Sequence, residues 1–276
     1  MKKLIYLMMV IAILGLIVSG CIPVVPPAEQ DESGTLPNEA RVQPTAARVK
    51  LKSHIFIDRF QVSGDRGPAF SDDFSVYKLF RGGVKWSEIP VSYYVDLTGA
   101  PGTPDDALDA IDAITASTDE WESYTSAELF SSTISPTGII FDEPEDLEKS
   151  YEKNTVSWAS FTALGLPEDA VAVNVVWFWV KVSPGGVTGR VLNLAEFHII
   201  NNSDLVWAVD APKVGDDQFD VQNVDTHEFG HSLFLDDLYM PPASELTMLG
   251  YTAIEETKKR DLGLGDILGL QALYGE

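Results

Sequence analysis

Apolar residues recur along this chain with two different periods, and the segments that carry them predict strands and helices. Residues 91–95, Val-Ser-Tyr-Tyr-Val, combine β-branched and aromatic side chains, which favour a strand. Residues 170–182 form a continuous apolar run, which predicts a buried strand. Residues 190–201 alternate between two faces and predict a third strand. We therefore expect a sheet with buried central strands.

Two further segments have helical patterns. Residues 104–130 open with acidic side chains and then place apolar residues at helical spacing, so we expect a long amphipathic helix there. Residues 221–235 also read as a helix, and Asp220 just before them is a good N-cap. With 45% apolar residues, the chain can bury a sizeable core. Strands and helices in these positions predict an α+β domain.

The N-terminus has the layout of a secretory signal, because Lys2 and Lys3 precede an uncharged apolar run that ends at Val18. As a helix this run would reach about 22 Å, short of the roughly 30 Å hydrocarbon core, so cleavage is favoured over a permanent membrane span. Val-Ser-Gly-Cys at 18–21 resembles the lipobox of prokaryotic lipoproteins. The resemblance implies removal of residues 1–20 and a lipid on Cys21, which would anchor an exported protein to the cell surface. An incidental cysteine is the alternative.

The chain between the signal and the main domain divides into two parts. Residues 21–50 are rich in Pro, Ala, Glu and Gln and lack aromatic residues, so we predict a disordered tether. Residues 51–81 contain short apolar pieces broken by Gly and Pro. They predict either an inhibitory pro-segment or an N-terminal extension packed on the domain. The main domain is expected over 82–276.

Charge limits the partners of this chain. Forty-two acidic against nineteen basic residues give a formal charge of −23, which disfavours binding to nucleic acid. Acidic clusters, such as Asp216, Asp217 and Asp220, predict either solvated faces or weak Ca²⁺ sites, although none has EF-hand spacing. We expect a monomer that reaches the membrane through lipidated Cys21.

Candidate chemistry is concentrated in His-Glu-Phe-Gly-His at 227–231. A helix places His227 and His231 on one face, so both imidazoles point toward one position. Glu228 lies one step around the helix, where a carboxylate can take a proton from a metal-bound water. Catalytic zinc needs a third protein ligand from outside this pair. The pattern predicts a zinc-dependent peptidase, although His-Glu-x-x-His alone also arises by chance.

The longer stretch HEFGHSLFLDD resembles the HExxHxxGxxH or HExxHxxGxxD helix of the matrixins, a group within the metzincin metallopeptidases. The resemblance implies Zn²⁺ bound by His227, His231 and Asp237, with Glu228 as the general base. Asp236 is the second choice for the third ligand.

One residue of this stretch departs from the family pattern. Phe234 stands where the family has the glycine that ends the helix in a left-handed conformation. A bulky residue there is strained by about 1–3 kcal/mol. We therefore expect a different turn at Phe234, the alternative being a degraded site.

Downstream segments extend the resemblance. Residues 245–251 resemble the Met-turn, with Met248 as the apolar floor beneath the metal; Met240 competes for that role, and Tyr251 is an auxiliary candidate. Residues 265–275 resemble the closing helix, and 86–95 the opening strand. A gluzincin is the main metal alternative. Its third ligand would be one of three later glutamates, Glu245, Glu255 or Glu256.

The resemblance covers 82–276 and implies a metzincin-like fold with a twisted mixed sheet. A substrate protein or peptide would pair with an edge strand near 190–201, and 238–242 would wall the adjoining pocket. Two other functions stay open: a pseudopeptidase that binds proteins or peptides at the cell surface, and a structural envelope lipoprotein.

Overall fold

The computed structural model describes residues 48–61, 72–100, 104–183, 188–212 and 216–276. All of them lie in one compact unit, Thr45–Glu276. The predicted signal, the lipidated Cys21 and nearly all of the tether lie outside the described residues. Within the described ranges, no helix is long and apolar enough to cross a membrane.

A seven-stranded mixed sheet forms the centre of the unit, in the order β3-β2-β4-β6-β5-β1-β9. Its strands are β1 (Arg48–Phe60), β2 (Val91–Val95), β3 (Phe130–Ile134), β4 (Asn154–Ala159), β5 (Ala170–Val182), β6 (Thr188–Asn202) and β9 (Tyr251–Thr252). A separate pair consists of β7 (Trp207–Ala208) and β8 (Phe219–Asp220). β5 runs antiparallel to both of its neighbours, and the other pairs are parallel. The strands predicted at 91–95 and 170–182 are confirmed.

Three α-helices lie in the described chain: α1 (Pro104–Glu122), α2 (Val221–Ser232) and α3 (Leu264–Tyr274). Their apolar side chains and one face of the sheet form the main core. The prediction that α1 continues to 130 is wrong. The Glu122 carboxylate accepts hydrogen bonds from the backbone N–H groups of Leu129 and Phe130, at 2.7 and 2.8 Å, and so turns the chain into β3.

The strand predicted at 190–201 exists as β6, which pairs with β5 along its length but with β4 only over residues 198–202. Residues 198–202 are therefore interior to the sheet, whereas residues 188–197 pair with β5 alone among the described strands, so substrate pairing near 190–201 stays a prediction. The regular alternation fails, because Trp177 pairs with Glu196 and Phe178 with Leu194. Ala195 is the extra residue of a β-bulge, and side chains on either side of a bulge exchange faces.

β1 places residues 48–60 in the sheet, so the last three residues of the tether predicted at 21–50 belong to a strand. It pairs antiparallel with β5 along nearly its whole length and parallel with β9 at Arg59 and Phe60. Phe56 is buried in the main core, between sheet and helices. Ile55 and Ile57 point the opposite way and pack against a second core on the other face. This strand therefore closes the side of β5 that would otherwise be an edge.

Candidate metal centre

The N-terminus of α2 is fixed by the residue that the sequence predicts as its cap. An Asp220 carboxylate oxygen accepts the backbone N–H of Asn223 at 2.6 Å. The same carboxylate pairs with the Arg260 guanidinium. Asp220 is therefore occupied in structural contacts. In the described part of the chain, the acidic clusters considered for Ca²⁺ do not form a group of three converging ligands.

The rest of α2 is held by side chains from three other parts of the chain. Trp121 on α1 donates its indole N–H to the Thr226 carbonyl, and Trp86 donates to the Ser232 carbonyl, each at 2.8 Å. Asn174 on β5 donates through Nδ2 to a third α2 carbonyl at 2.7 Å. Of these three carbonyls, that of Ser232 lies in the last turn of α2, where carbonyls lack an intrahelical partner. These contacts fix both the position and the rotation of α2.

Three predicted ligands converge beside α2. The Nε2 atoms of His227 and His231 are 3.1 Å apart, and each lies 3.4 Å from Oδ1 of Asp237. Tetrahedral ligands with zinc bonds of about 2.0–2.1 Å lie about 3.3 Å from one another. The spacing therefore fits one small tetrahedral cation. Among the described residues, this is the one group of three such ligands.

Backbone carbonyls orient both imidazoles for metal binding. His227 Nδ1 lies 2.7 Å from the Thr247 carbonyl, and His231 Nδ1 lies 3.0 Å from the Leu235 carbonyl. Because a carbonyl can only accept, each Nδ1 carries the proton and donates it. Each Nε2 then presents its lone pair toward Asp237, which is the tautomer that a metal ligand requires.

Asp237, and not Asp236, joins the two histidines. Oδ2 of Asp237 accepts the Tyr239 hydroxyl at 3.0 Å, and its Oδ1 has no hydrogen-bond partner. Asp236 instead pairs with Lys78 at 2.9 Å. The Tyr251 ring packs edge-on against Tyr239, with ring centroids 5.3 Å apart, so its described contact is with that ring. Sequence reasoning missed the supporting role of Tyr239.

The glutamates proposed for a gluzincin-type site lie elsewhere. Glu256 pairs with Lys258 at 3.6 Å, and Glu245 lies 4.0 Å from the same ammonium group. Neither belongs to the group formed by the two histidines, and Glu255 is not part of that group either.

The turn after α2 has the left-handed conformation that the family glycine would adopt. Phe234 has φ 73°, so the expectation of a different turn at this residue is wrong. Its N–H donates to the His231 carbonyl at 2.8 Å, and the Leu235 N–H donates to the Gly230 carbonyl at 3.0 Å. These two bonds define a Schellman motif with phenylalanine in place of glycine.

Burial of its ring explains how Phe234 is tolerated there. The side chain has no exposed surface. It packs edge-on against Phe80, with centroids 4.9 Å apart, and against Phe178 at 5.6 Å. A buried phenylalanine contributes about 3–5 kcal/mol relative to alanine, which exceeds the strain of about 1–3 kcal/mol at positive φ. The Schellman motif therefore directs the chain so that Asp237 reaches the two histidines, although no glycine is present at the turn.

Met248 lies beneath α2, as predicted for a Met-turn. Its sulfur contacts Gly230 so closely that a Cβ at that position would collide with it. Met240 is 42% exposed, which leaves Met248 as the residue under the helix. The N–H groups of Thr247 and Met248 donate to the Asp266 carboxylate on α3, at 2.8 and 3.1 Å. Sequence reasoning did not single out Asp266, although an acidic residue in an apolar helix is a signal for such a role.

Negative charge accumulates around the ligands. Glu228 is fully buried, and within the described ranges neither of its carboxylate oxygens has a hydrogen-bond partner. Burial, followed by the charges of Asp58 and Asp237, raises the pKa of Glu228 well above its usual value. Burial also opposes ionisation of Asp237, but His231 and His227 hold the pKa of that carboxyl below its usual range. A bound cation would offset this charge.

Two further charged groups at the site have no counterpart in the sequence analysis. Asp58 on β1 and Lys259 are both fully buried, with Oδ1 and Nζ 3.7 Å apart. Phe56, two residues earlier on β1, stacks on the imidazole of His231, with centroids 3.9 Å apart and planes 7° apart. The centre is therefore covered by β1.

Comparison with known proteins gives no relative from which a role can be transferred. No protein-family model matches the chain, and no curated protein matches it significantly. The functional assignment therefore depends on the geometry of His227, Glu228, His231 and Asp237.

Proposed function

We propose that this protein is a zinc-dependent endopeptidase of the metzincin type that hydrolyses peptide bonds in extracellular proteins or peptides. The observation that carries the proposal is the geometry of His227, His231 and Asp237 with buried Glu228 beside them. Two imidazoles and one carboxylate are a ligand set that zinc accepts in catalytic sites. The order of α2, left-handed turn, third ligand, Met248 and α3 supports the metzincin type.

The chain's own residues have distinct roles in this mechanism. His227, His231 and Asp237 would hold zinc, which supplies Lewis acidity toward a water and a peptide carbonyl. Glu228 accepts a proton from the attacking water and passes it to the leaving amine. Tyr239 holds the second oxygen of Asp237, so that Oδ1 stays directed at the histidines.

The competing pseudopeptidase hypothesis has to explain Glu228. A buried carboxylate without hydrogen-bond partners destabilises the fold, and a binding module gains nothing evident from keeping it. A structural envelope lipoprotein would in addition have no use for two histidines with matched tautomers. Attachment at the cell surface through Cys21 remains a prediction from the signal alone.

Metal content tests the ligand set on the full chain. We expect one zinc per chain in the wild type and in Glu228→Gln, measured by mass spectrometry of the purified metal-loaded protein. Asp237→Asn should lose zinc, whereas the matched neighbour Asp236→Asn should keep it, because Asp236 pairs with Lys78. Absence of stoichiometric zinc in the wild type would overturn the proposal.

Cleavage tests the role of Glu228. Because β1 covers the centre, peptides have to compete with it for its position. The chain is therefore cut at a protease site introduced between Gln61 and Asp72, and a peptide library is then added in excess. Removal of a general base lowers the rate by about 100-fold to 10,000-fold, so Glu228→Gln should lose nearly all cleavage. Cleavage that is unchanged in Glu228→Gln would contradict the mechanism.

A further inference from the structure

The buried pair Asp58–Lys259 has no place in the mechanism above. Neither the Asp58 carboxylate nor the Lys259 ammonium group has a hydrogen-bond partner among the described residues, and their distance of 3.7 Å is that of an ion pair. Such groups are almost never fully buried unless paired. Each of them therefore depends on the other for its compensation.

Lys259 belongs to the body of the domain rather than to β1. Its backbone N–H donates to Oδ1 of Asn223 on α2, at 2.8 Å. The neighbouring cations face other partners, since Lys258 binds the Ser244 carbonyl and Arg260 binds an α2-capping carboxylate. Of these three consecutive cations, Lys259 is the one directed at the site. Its backbone is therefore fixed by a contact with α2 and not with β1.

β1 lies where an extended peptide could lie. It is antiparallel to β5 along nearly its whole length and parallel to the two-residue β9 only at Arg59 and Phe60, so its removal would expose the edge of β5. Main-chain hydrogen bonds to such edges bind extended peptides, and alternate side chains then supply specificity. On β1 the alternate side chains on the face toward the centre include His54, Phe56 and Asp58; Phe56 stacks on His231, and Asp58 pairs with Lys259.

The ligands cannot receive a substrate while β1 is in place. His227, Glu228 and His231 have no exposed surface, and the Phe56 ring lies flat on His231. Asp58 is close enough to Glu228 and His227 to influence both electrostatically. Its side chain fills a buried pocket beside Lys259, with Oδ1 and Nζ 3.7 Å apart.

We propose that β1 occupies the substrate's position and that Lys259 makes this pocket selective for an acidic side chain, Asp or Glu, in the extended peptide that replaces β1. The inference depends on the proposed peptidase function for its catalytic consequence. A neutral or basic side chain would leave the buried ammonium group of Lys259 without a counter-charge. β1 then competes with the substrate for this position, and its Asp58 carboxylate pairs with the same Lys259 ammonium group.

Peptide exchange tests the pocket without any measurement of catalysis. The full chain is cut between Gln61 and Asp72, and a fluorescent peptide with the sequence of residues 51–60 is added in competition with the retained strand. A peptide with the Asp58→Asn change should bind about 30-fold more weakly or worse, as expected for removal of one partner of a buried charge pair. Lys259→Met should abolish this preference, and Lys258→Met should keep it.

A second variant guards against misfolding of Lys259→Met. Lys259→Glu should reverse the preference, so that a peptide with Asp58→Lys binds better than the native sequence, while circular dichroism verifies the fold of each variant. If folded cut chain never exchanges its strand, β1 is a permanent part of the sheet and the inference is wrong. Equal binding of the Asp and Asn peptides would also overturn it.

Cleavage-site analysis separates this inference from the proposed function. On the cut, zinc-loaded chain, the library products should show Asp or Glu enriched at one position next to the cleaved bond. Glu228-dependent cleavage without this enrichment would refute the pocket but leave the peptidase. Conversely, Asp-dependent exchange without Glu228-dependent cleavage would support the pocket and refute the peptidase.

Discussion

Substitution of Phe234 offers the sharpest test of the energetics of the turn. The residue combines φ 73° with a fully buried ring, so strain and packing act on it in opposite directions. Phe234→Ala removes the ring and leaves a Cβ in the left-handed conformation. Phe234→Gly removes the ring and the strain together. The two variants therefore differ mainly in backbone strain.

The magnitudes follow from the contacts of the ring. Loss of a phenylalanine buried between Phe80 and Phe178 should cost both variants about 3–5 kcal/mol in the free energy of unfolding. A Cβ in the left-handed region costs about 1–2 kcal/mol, whereas glycine loses about 0.5–1 kcal/mol in conformational entropy. The Gly variant should thus be more stable than the Ala variant by about 0–1.5 kcal/mol.

Urea unfolding of the metal-free chain, followed by tryptophan fluorescence, measures this difference. The control pair is Asp112→Ala and Asp112→Gly, at an exposed position within α1, where alanine should be the more stable by about 1 kcal/mol. The order should therefore reverse between the two sites. If Phe234→Ala is more stable than Phe234→Gly by about 1 kcal/mol, as expected at Asp112, the left-handed turn does not exist in solution.

Three more predictions concern the surroundings of the ligands. Burial raises the pKa of Asp266 to about 6. Protonation of Asp266 stabilises the fold fully below the pKa of the unfolded chain, about 3.9, and this stabilisation is lost as the pH rises through 6. The free energy of unfolding of the wild type, relative to that of Asp266→Asn, should therefore fall by up to about 3 kcal/mol between pH 4 and 7. Urea unfolding at both pH values measures this change. Tyr239→Phe should weaken zinc binding about 10-fold to 100-fold in competition with a chelating dye, because Asp237 loses its supporting hydrogen bond; unchanged affinity would contradict that role. Trp86→Phe should cost about 1–3 kcal/mol in urea unfolding, since the Ser232 carbonyl is left unpaired, and a neutral effect would refute it.

Local signals account for the parts of the site that the sequence predicts. The spacing of His227 and His231 on one helix and the Asp220 cap are both local features. Asp237 lies only six residues after His231 in the sequence. The uninterrupted apolar run of β5 predicts a strand that is buried on both faces, without reference to any distant residue. In each case the information lies within a few consecutive residues, so the fold adds little to it.

The features that the sequence does not predict depend on distant contacts. The position of β1 follows from pairing with a strand more than a hundred residues away, and His54-Ile55-Phe56-Ile57 gives no sign of it. The strain argument at Phe234 fails because it cannot include two rings that bury the side chain. Lys259 belongs to the run Lys258-Lys259-Arg260, and three consecutive basic residues predict side chains exposed to solvent.

The contact between Gly230 and the Met248 sulfur has a mechanical consequence. Rotation of α2 about its axis is opposed by the hydrogen bonds to its carbonyls and also by any side chain that fits closely into its surface. Here the sulfur fills the notch that glycine leaves, with the Trp121 ring beside it. Because an imidazole Nε2 lies about 6–7 Å from the helix axis, a rotation of 10° would swing it by about 1 Å, which is enough to spoil a metal site. The steric contact between the Met248 sulfur and Gly230 thus helps to fix the rotation of α2, and with it the direction of both histidine side chains.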